Sequence, residues 1–155
     1  MASKGQSKGS TPVISNRKAY HDYSIEEELE AGIVLHGCEV KMVRKGSFTL
    51  RDAYCELRQG EMWLVGGHIP EYPQASSHVE IDPLRRRKLL LHRQELKRLR
   101  RKQVEKGFTI VPLKAYFVRG KVKLKVGLAK GKRQYDKRQT IKQRDLKRED
   151  DRIRG

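Results

Sequence analysis

The pattern nearest to a catalytic site is Glu39-Val40-Lys41, in which an acidic residue and a lysine are separated by one residue. It resembles half of a metal-dependent nuclease site, where carboxylates hold the divalent ion that activates water. Asp52 is the only nearby carboxylate that could complete such a site. We also predict a short helix from Glu39 to Arg44, whereas the nuclease site uses a strand. We therefore favour an acidic and basic pair on a surface helix and keep the nuclease as an alternative.

His36-Gly37-Cys38 is the nearest approach to a metal site. A tetrahedral zinc site needs about four ligands at recognisable spacing, and the histidines at 68, 78 and 92 are dispersed. Cys38 and Cys55 are the only cysteines; they form no disulfide framework, and we expect both to be reduced in the cytoplasm. No nucleophile and base set, phosphate-binding glycine loop or carboxylate pair stands out. We predict no metal, no cofactor and no enzymatic activity.

Positive charge is the strongest signal in the sequence. Lysine and arginine number 36 against 19 aspartates and glutamates, which gives a net charge of +17. Self-repulsion of this size disfavours the compact state unless a polyanion neutralises it. No aliphatic run is longer than Leu89-Leu90-Leu91, far short of the roughly 20 residues that span a bilayer. The start of the chain also lacks the apolar segment of a signal peptide, so we expect nucleic acid and no membrane.

The basic residues form four clusters. They are Arg85 to Lys88, the segment that follows Leu91, the alternating Lys121, Lys123 and Lys125, and the C-terminal residues from Lys130. Any one cluster could be a solvated surface, but lysines at fixed spacing on a strand present a row of charge to phosphates.

Two further groups of residues suit RNA. Lys18 and His21 lie beside tyrosines, a combination that pairs phosphate contact with stacking on unpaired bases. The alternative is that this segment is a strand in which Tyr23 packs inward. A carboxylate such as Glu30 could accept hydrogen bonds from a base edge or a 2′-hydroxyl.

The middle of the chain has the pattern of a mainly β domain. From Lys121 to Leu128 lysines alternate with apolar residues, which predicts a strand with one basic and one apolar face. The segment from Thr109 to Val118 precedes it across Arg119-Gly120, and the segments 54–57 and 62–65 flank Gln59-Gly60, which predicts two hairpins. We predict a long first strand from Tyr23 to Leu35, interrupted at Ala31-Gly32.

Two helices are predicted, with room for a third. One is Glu39 to Arg44; the other follows the three leucines and ends at Gly107, with Leu96, Leu99 and Val104 facing inward. These elements predict a small antiparallel β-barrel of the OB type over residues 16–129. Residues 1–15 are predicted to be a flexible arm. Residues 130–155 are too polar to fold alone, and we predict a basic tail that is disordered or conditionally helical.

Several strings recur in one bacterial family. They are Asn16-Arg17-Lys18-Ala19 followed by His21 and Tyr23, Glu30-Ala31-Gly32-Ile33, Gly37-Cys38-Glu39-Val40-Lys41, His68-Ile69, Arg87-Lys88-Leu89-Leu90-Leu91-His92, Val111-Pro112-Leu113 with Tyr116, and Gly127-Leu128-Ala129-Lys130-Gly131-Lys132 with Asp136-Lys137-Arg138. Their order and spacing resemble the family of SsrA-binding proteins over residues 16–138.

The resemblance implies an OB-type barrel that binds the tRNA-like domain of transfer-messenger RNA (tmRNA, or SsrA RNA). It implies delivery of that RNA to stalled ribosomes for trans-translation, ribosome rescue and peptide tagging. The implied partners are tmRNA, the small-subunit RNA of the ribosome and, indirectly through charged tmRNA, elongation factor Tu. The tail would become helical in the empty mRNA channel and reach the decoding centre. We expect a cytoplasmic monomer, with a generic OB-type ribosome-associated protein as the alternative.

Matching motif positions imply that Asn16, Glu30 and Leu90 lie at the tRNA-like domain. Three consecutive leucines cannot all point inward, so an exposed Leu90 could pack on a splayed base. The other residues expected to bind tmRNA are Lys18, His21, Lys41, Arg44, Lys88, His92, Lys121, Lys123 and Lys125. Those expected in the decoding region are Lys130, Lys132, Arg133, Tyr135, Asp136, Lys137 and Arg138. Tyr135 stands where the family often has histidine, a change that keeps stacking but removes a protonated imidazole.

Overall fold

The structure is a computed structural model that describes residues 11–73 and 81–132. Within these ranges it contains seven strands and three helices. In chain order they are β1 (Ile14–Ser15), α1 (Arg17–Asp22), β2 (Tyr23–Ile33), α2 (Gly37–Arg44), β3 (Tyr54–Arg58), β4 (Glu61–Val65), β5 (Arg87–Leu90), α3 (Arg93–Lys106), β6 (Thr109–Val118) and β7 (Lys121–Gly131). No helix in the described part of the chain is long and apolar enough to cross a membrane.

The strands form one antiparallel sheet that closes into a barrel. The order β6-β3-β4-β5-β2-β7 returns to β6 through the pairing of β6 with β7, and β1 adds to β6 beside residues 114 and 115. Closure leaves these strands without the exposed edges that promote aggregation. The predicted OB-type, mainly β barrel is confirmed.

β7 shows the predicted alternation. Val122, Leu124, Val126 and Leu128 are buried in the barrel core, and Lys121, Lys123 and Lys125 lie on the other face. Both predicted hairpins are present. Their turns, Gln59-Gly60 and Arg119-Gly120, have positive φ at both central residues, which a two-residue type I′ turn requires.

The predicted interruption of β2 at Ala31-Gly32 is wrong. β2 is continuous through both residues, and its irregularity lies between Ile25 and Glu27 instead. Gly32 pairs with Leu90 on one side and Lys123 on the other. A Cβ added at Gly32 would lie 3.3 Å from Leu90 Cβ. The glycine therefore allows β2 to approach Leu90 closely, and it does not end the strand.

α1 differs from the strand that the sequence offered as one reading of residues 16–23. Asn16 caps this helix: its Oδ1 accepts a hydrogen bond from the Ala19 N–H at 3.2 Å, a common device at helix starts. Ala19 packs against Val111, Leu113 and Ala129 on the outside of the barrel. Tyr23, the first residue of β2, packs partly buried against the same cluster.

The other two helices are close to prediction. α2 begins two residues earlier than expected, at Gly37. α3 ends at Gly107, which has the left-handed φ of 69° that favours glycine there. Leu99 is fully buried and Leu96 partly buried, but Val104 is 76% exposed, so its predicted inward position is wrong.

The two domain boundaries move by a few residues. Ile14 and Ser15, assigned to the flexible arm, form β1 through backbone pairing with β6. Lys130 and Gly131, assigned to the tail, are the end of β7 and pair with β2. Backbone pairing at the ends of strands leaves little trace in composition. The arm up to residue 10 and the tail from residue 133 lie outside the described residues.

A buried ion cluster joins α2 to β5 and its preceding loop. Glu39 is 3% exposed and Arg87 is fully buried. Arg87 Nη2 donates to Glu39 Oε2 at 2.7 Å, and Arg85 Nη2 donates to Glu39 Oε1 at 2.5 Å. Arg87 also donates to the carbonyls of Gly67 and Pro83. The interpretation of Glu39 as half of a surface pair is therefore wrong, because its partners lie 46 and 48 residues away in the sequence.

Replacing Glu39 should destabilise the fold. Glu39→Gln leaves the buried Arg87 charge and the partly buried Arg85 charge without their anion, and breaking such a cluster costs about 3 kcal/mol in the free energy of unfolding. Urea denaturation measures this loss. The control, Glu26→Gln, removes the same charge from an exposed site on β2 and should stay within about 0.5 kcal/mol of the parent. Equal values for the two variants would contradict a structural role for the cluster.

The stabilisation of the fold by Glu39 should depend on pH. Burial alone raises the pKa of Glu39, but hydrogen bonds from Arg85, the His36 N–H and Arg87 outweigh it and hold the pKa below its ordinary value of 4.5. A carboxyl whose pKa is lowered on folding stabilises the protein above the unfolded-state pKa and loses that effect as the pH falls through the folded-state pKa. The difference in the free energy of unfolding between the parent and Glu39→Gln should stay constant down to about pH 5 and decrease at lower pH. A difference that does not decrease at lower pH would contradict the lowered pKa of Glu39.

Candidate RNA-binding surface

Four neighbouring strands align outward-facing residues in one row. Tyr116 on β6 pairs with Lys123 on β7, Lys123 with Gly32 on β2, and Gly32 with Leu90 on β5. Directly paired residues share a face of the sheet. The row therefore runs from an aromatic side chain through a lysine and a flat glycine to a leucine.

A second row lies two residues along the same strands. Lys125 on β7 pairs with Lys114 on β6 and with Glu30 on β2. Both lysines are partly buried and Glu30 is exposed. The two rows together, here called the barrel face, comprise Glu30, Gly32, Leu90, Lys114, Tyr116, Lys123 and Lys125.

Tyr116 links the two rows. Its hydroxyl donates a hydrogen bond to Glu30 Oε2 at 2.5 Å, and Lys125 Nζ lies 5.9 Å from the centre of its ring. Burial and then the hydrogen bond to Glu30 raise the pKa of Tyr116 well above its ordinary value. Glu30 is exposed, so its carboxylate can also accept a hydrogen bond from a ligand.

Leu90 is the exposed member of the three leucines, as predicted. It is 52% exposed, whereas Leu89 is buried in the core. The neighbouring Lys88 forms an ion pair with Glu61. The exposed His92 is the capping residue before α3, and its N–H donates to Glu95 Oε1 at 3.0 Å. An apolar side chain that stays exposed between polar neighbours is suited to pack against a base.

Asn16 is placed differently from the other predicted residues. It is 4% exposed, and its side-chain amide donates to the carbonyls of Leu50 and Pro112 at 3.1 and 2.9 Å. These bonds fix α1 against the loop before β3 and against β6. Asn16 therefore positions α1, which carries Lys18 and His21.

The side chains on α1 reach solvent beside acidic partners. Lys18 Nζ pairs with Asp52, and this hydrogen bond lowers the pKa of the Asp52 carboxyl. His21 is exposed, with Nδ1 2.9 Å from Asp22 Oδ1.

The nuclease alternative finds no support in this geometry. Both oxygens of Glu39 are bonded to Arg85 and Arg87, and Asp52 is paired with Lys18. Lys41 lies instead with its Nζ 5.1 Å from the ring centre of Tyr72. No group of three potential metal ligands occurs in residues 11–73 and 81–132.

The remaining predicted residues divide between the barrel and the tail. The Arg44 guanidinium stacks 4.9 Å from the ring centre of Phe117, and Lys130 Nζ lies 4.6 Å from that of Phe108. Lys121 begins β7 and Lys132 follows its end, both exposed. The other decoding-region candidates lie outside the described residues; they are Arg133, Tyr135, Asp136, Lys137 and Arg138.

A family model described as SmpB protein matches residues 13–154. The chain belongs to the SmpB family. The SsrA-binding protein of Nitrosospira multiformis is 48% identical over 141 residues, which cover 91% of this chain and 96% of that protein. The SsrA-binding protein of Cupriavidus taiwanensis is 51% identical, covering 91% and 95%.

A solved chain described as "tmRNA-SmpB: a journey to the center of the bacterial ribosome" also matches. It superposes with a TM-score of 0.64 at 48% identity and covers 78% of this chain and 85% of that chain. The resemblance to SsrA-binding proteins inferred from the sequence strings is thereby confirmed at the level of the SmpB family.

No binding role was predicted for Gly32, Lys114 or Tyr116. Tyr116 and Lys114 alternate with Ala115 and Phe117, which pack in the core. The period of two that identified the lysines of β7 could therefore have placed both on the outer face. The hydrogen bond between Tyr116 and Glu30 joins residues 86 apart and leaves no local signal.

The Tyr116 and Glu30 contact can be tested through ionisation. Glu30→Gln removes the negative charge beside the phenol, so the pKa of Tyr116 should fall towards the ordinary tyrosine value of about 10. NMR of ¹³Cζ-labelled tyrosine, assigned with Tyr116→Phe, measures this shift. Glu28→Gln is the control, since Glu28 acts on Tyr116 only through its charge and should have a smaller effect. A Tyr116 pKa that is the same in Glu30→Gln as in the parent would contradict the contact.

Proposed function

We propose that this chain binds the tRNA-like domain of tmRNA and delivers that RNA to stalled ribosomes for trans-translation and peptide tagging. The observation that carries the proposal is the match to SsrA-binding proteins, at about half identity over 91% of the chain. The description of the matching solved chain names tmRNA-SmpB and the bacterial ribosome, which supports tmRNA and the ribosome as partners. The barrel face supplies the chemistry that a structured RNA requires.

Each part of the barrel face suits a different part of an RNA. The ammonium groups of Lys114, Lys123 and Lys125 neutralise phosphates and release counterions. Glu30 accepts a hydrogen bond from a base edge or a 2′-hydroxyl, a group that separates RNA from DNA. Leu90, beside the flat surface at Gly32, packs against the face of an unstacked base.

The barrel and the tail have different roles in this proposal. β7 ends at Gly131, and the tail, residues 133–155, follows in the sequence. In our proposal this tail enters the empty mRNA channel and the decoding centre, with Lys137 and Arg138 on ribosomal RNA. Elongation factor Tu reaches the complex through charged tmRNA, and the protein acts as a cytoplasmic monomer. It is an adaptor without enzymatic activity of its own, because peptidyl transfer belongs to the ribosome.

Selective affinity for tmRNA tests the binding proposal. At fixed salt concentration, the full chain should bind the tRNA-like domain of tmRNA at least about tenfold more tightly than an ordinary tRNA of similar size, a difference of about 1.4 kcal/mol. Equal affinities would favour the generic ribosome-associated OB protein and contradict this proposal. RNA incubated with the protein and Mg²⁺ or Mn²⁺ should remain intact. Cleavage that is abolished in Glu39→Gln would instead support the nuclease alternative.

Truncation tests the role of the tail. A chain that ends at Lys132 keeps all of β7 and should therefore retain the tmRNA affinity of the full chain within about threefold, or about 0.65 kcal/mol. It should lose peptide tagging on ribosomes stalled on a message without a stop codon. The matched control replaces residues 133–155 with an uncharged linker of the same length. Peptide tagging by the chain that ends at Lys132, or by the chain with the linker, would contradict the proposal. Loss of tmRNA binding by the chain that ends at Lys132 would also contradict it.

A further inference from the structure

A groove lies between α3 and the turn that joins β3 to β4. Its volume is about 730 Å³, within the roughly 300–1,000 Å³ range of small-ligand sites. Leu57, Leu91 and Leu96 form an apolar floor, and each is only partly buried against the core. Gln59 and Gly60 form one wall at the tip of the turn.

The other wall carries three cations on one face of α3. Arg93, Lys97 and Arg100 are spaced i, i+4 and i+7, so they project on the same side of the helix. All three are exposed. None of the eight residues that line the groove is acidic. The groove therefore combines an apolar floor with an unneutralised positive rim.

The absence of acidic partners separates these cations from other basic residues of the barrel. Arg98, on another face of the same helix, pairs with Glu27, and Lys88 pairs with Glu61. Arg86 pairs with Glu56 at 3.4 Å. By contrast, Arg93, Lys97 and Arg100 form no ion pair with any carboxylate in the ranges that the structure describes. Their charges are free to meet an external anion.

The groove adjoins the barrel face where Leu90 is followed by Leu91. Leu90 belongs to the barrel face, and Leu91, the next residue, lies on the floor of the groove. An RNA chain that packs a base on Leu90 can therefore extend into the groove without leaving the protein surface. The helix face then meets the phosphates that flank the inserted base.

We propose that this groove holds an unpaired nucleotide of the RNA that is bound on the barrel face. The base packs on Leu57, Leu91 and Leu96, and Arg93, Lys97 and Arg100 contact its flanking phosphates. Arginine also stacks its guanidinium plane on bases. The inference rests on the proposed tmRNA function and adds to it a second subsite. An acidic peptide fits the charge of the rim and is the competing occupant, but the position of the groove beside the barrel face favours RNA.

Loss of two rim charges should weaken RNA binding in a salt-dependent way. Lys97→Gln with Arg100→Gln should lower the affinity of the full chain for the tRNA-like domain of tmRNA about tenfold at moderate salt, and should reduce the slope of log affinity against log salt by about 1.4, or 0.7 for each phosphate contact. The control is Arg101→Gln with Lys102→Gln, which removes the same charge from residues of α3 that do not line the groove. This control should change the slope of log affinity against log salt by less than half of the change in the rim variant.

Crosslinking identifies the occupant. tmRNA carrying 4-thiouridine at unpaired positions should crosslink on irradiation to peptides containing residues 57–60 and 91–100, located by mass spectrometry. Equal salt slopes for the rim variant and its control, or crosslinks confined to other parts of the chain, would overturn the proposal. Binding of an acidic peptide, with no crosslink from tmRNA, would assign the groove to protein. If the parent chain does not bind tmRNA more tightly than tRNA in the same titrations, the proposed function itself is contradicted. If that preference holds but the rim variant and its control have the same salt slope, only the assignment of the groove is contradicted.

Discussion

The pairing of β7 along both of its edges sets the geometry of the barrel and of its outer surface. β7 bonds to β2 on one side and to β6 on the other, and this closes the barrel. Because side chains alternate across a strand, a register slip of one residue would exchange the buried Leu124 and Val126 for Lys123 and Lys125. The apolar core therefore fixes the register, and the register aligns Lys123 with Tyr116 and Gly32. The binding surface follows from the requirement to bury the other face.

The protein divides its net charge of +17 between structure and binding. Some cations are neutralised within the fold, as Arg85 and Arg87 are by Glu39 and Arg98 is by Glu27. Burial of Arg87 is compatible with folding because carboxylate and carbonyl acceptors surround its guanidinium. The lysines of the barrel face and the rim of the groove have no such carboxylate among the described residues, apart from Glu30. Their repulsion is a cost to the folded protein that a bound RNA would remove.

The sequence predicted features that repeat or that are locally encoded. The alternation of β7, the two-residue turns, the end of α3 at Gly107 and the exposure of Leu90 all follow from spacing within a few residues. Features that depend on distant residues were wrong or missed. The positioning role of Asn16 was missed, because its amide is held by Leu50 and Pro112, which only the fold brings close; its RNA contact stays a prediction. Glu39 was predicted to form a local pair because its partner Arg87 is remote in the chain. The predicted interruption of β2 was wrong because Gly32 allows a close approach to Leu90 and does not end the strand.

In the proposed function the barrel binds tmRNA and the tail binds ribosomal RNA. Crosslinking in living cells, followed by sequencing of the RNA attached to the full chain and to a chain that ends at Lys132, tests it most directly. We predict that tmRNA reads dominate for both chains and concentrate in the tRNA-like domain. Reads from the decoding region of the small-subunit RNA should be recovered with the full chain and lost with the shorter one. Loss of tmRNA from the shorter chain, or decoding-region reads that persist with it, would contradict the account.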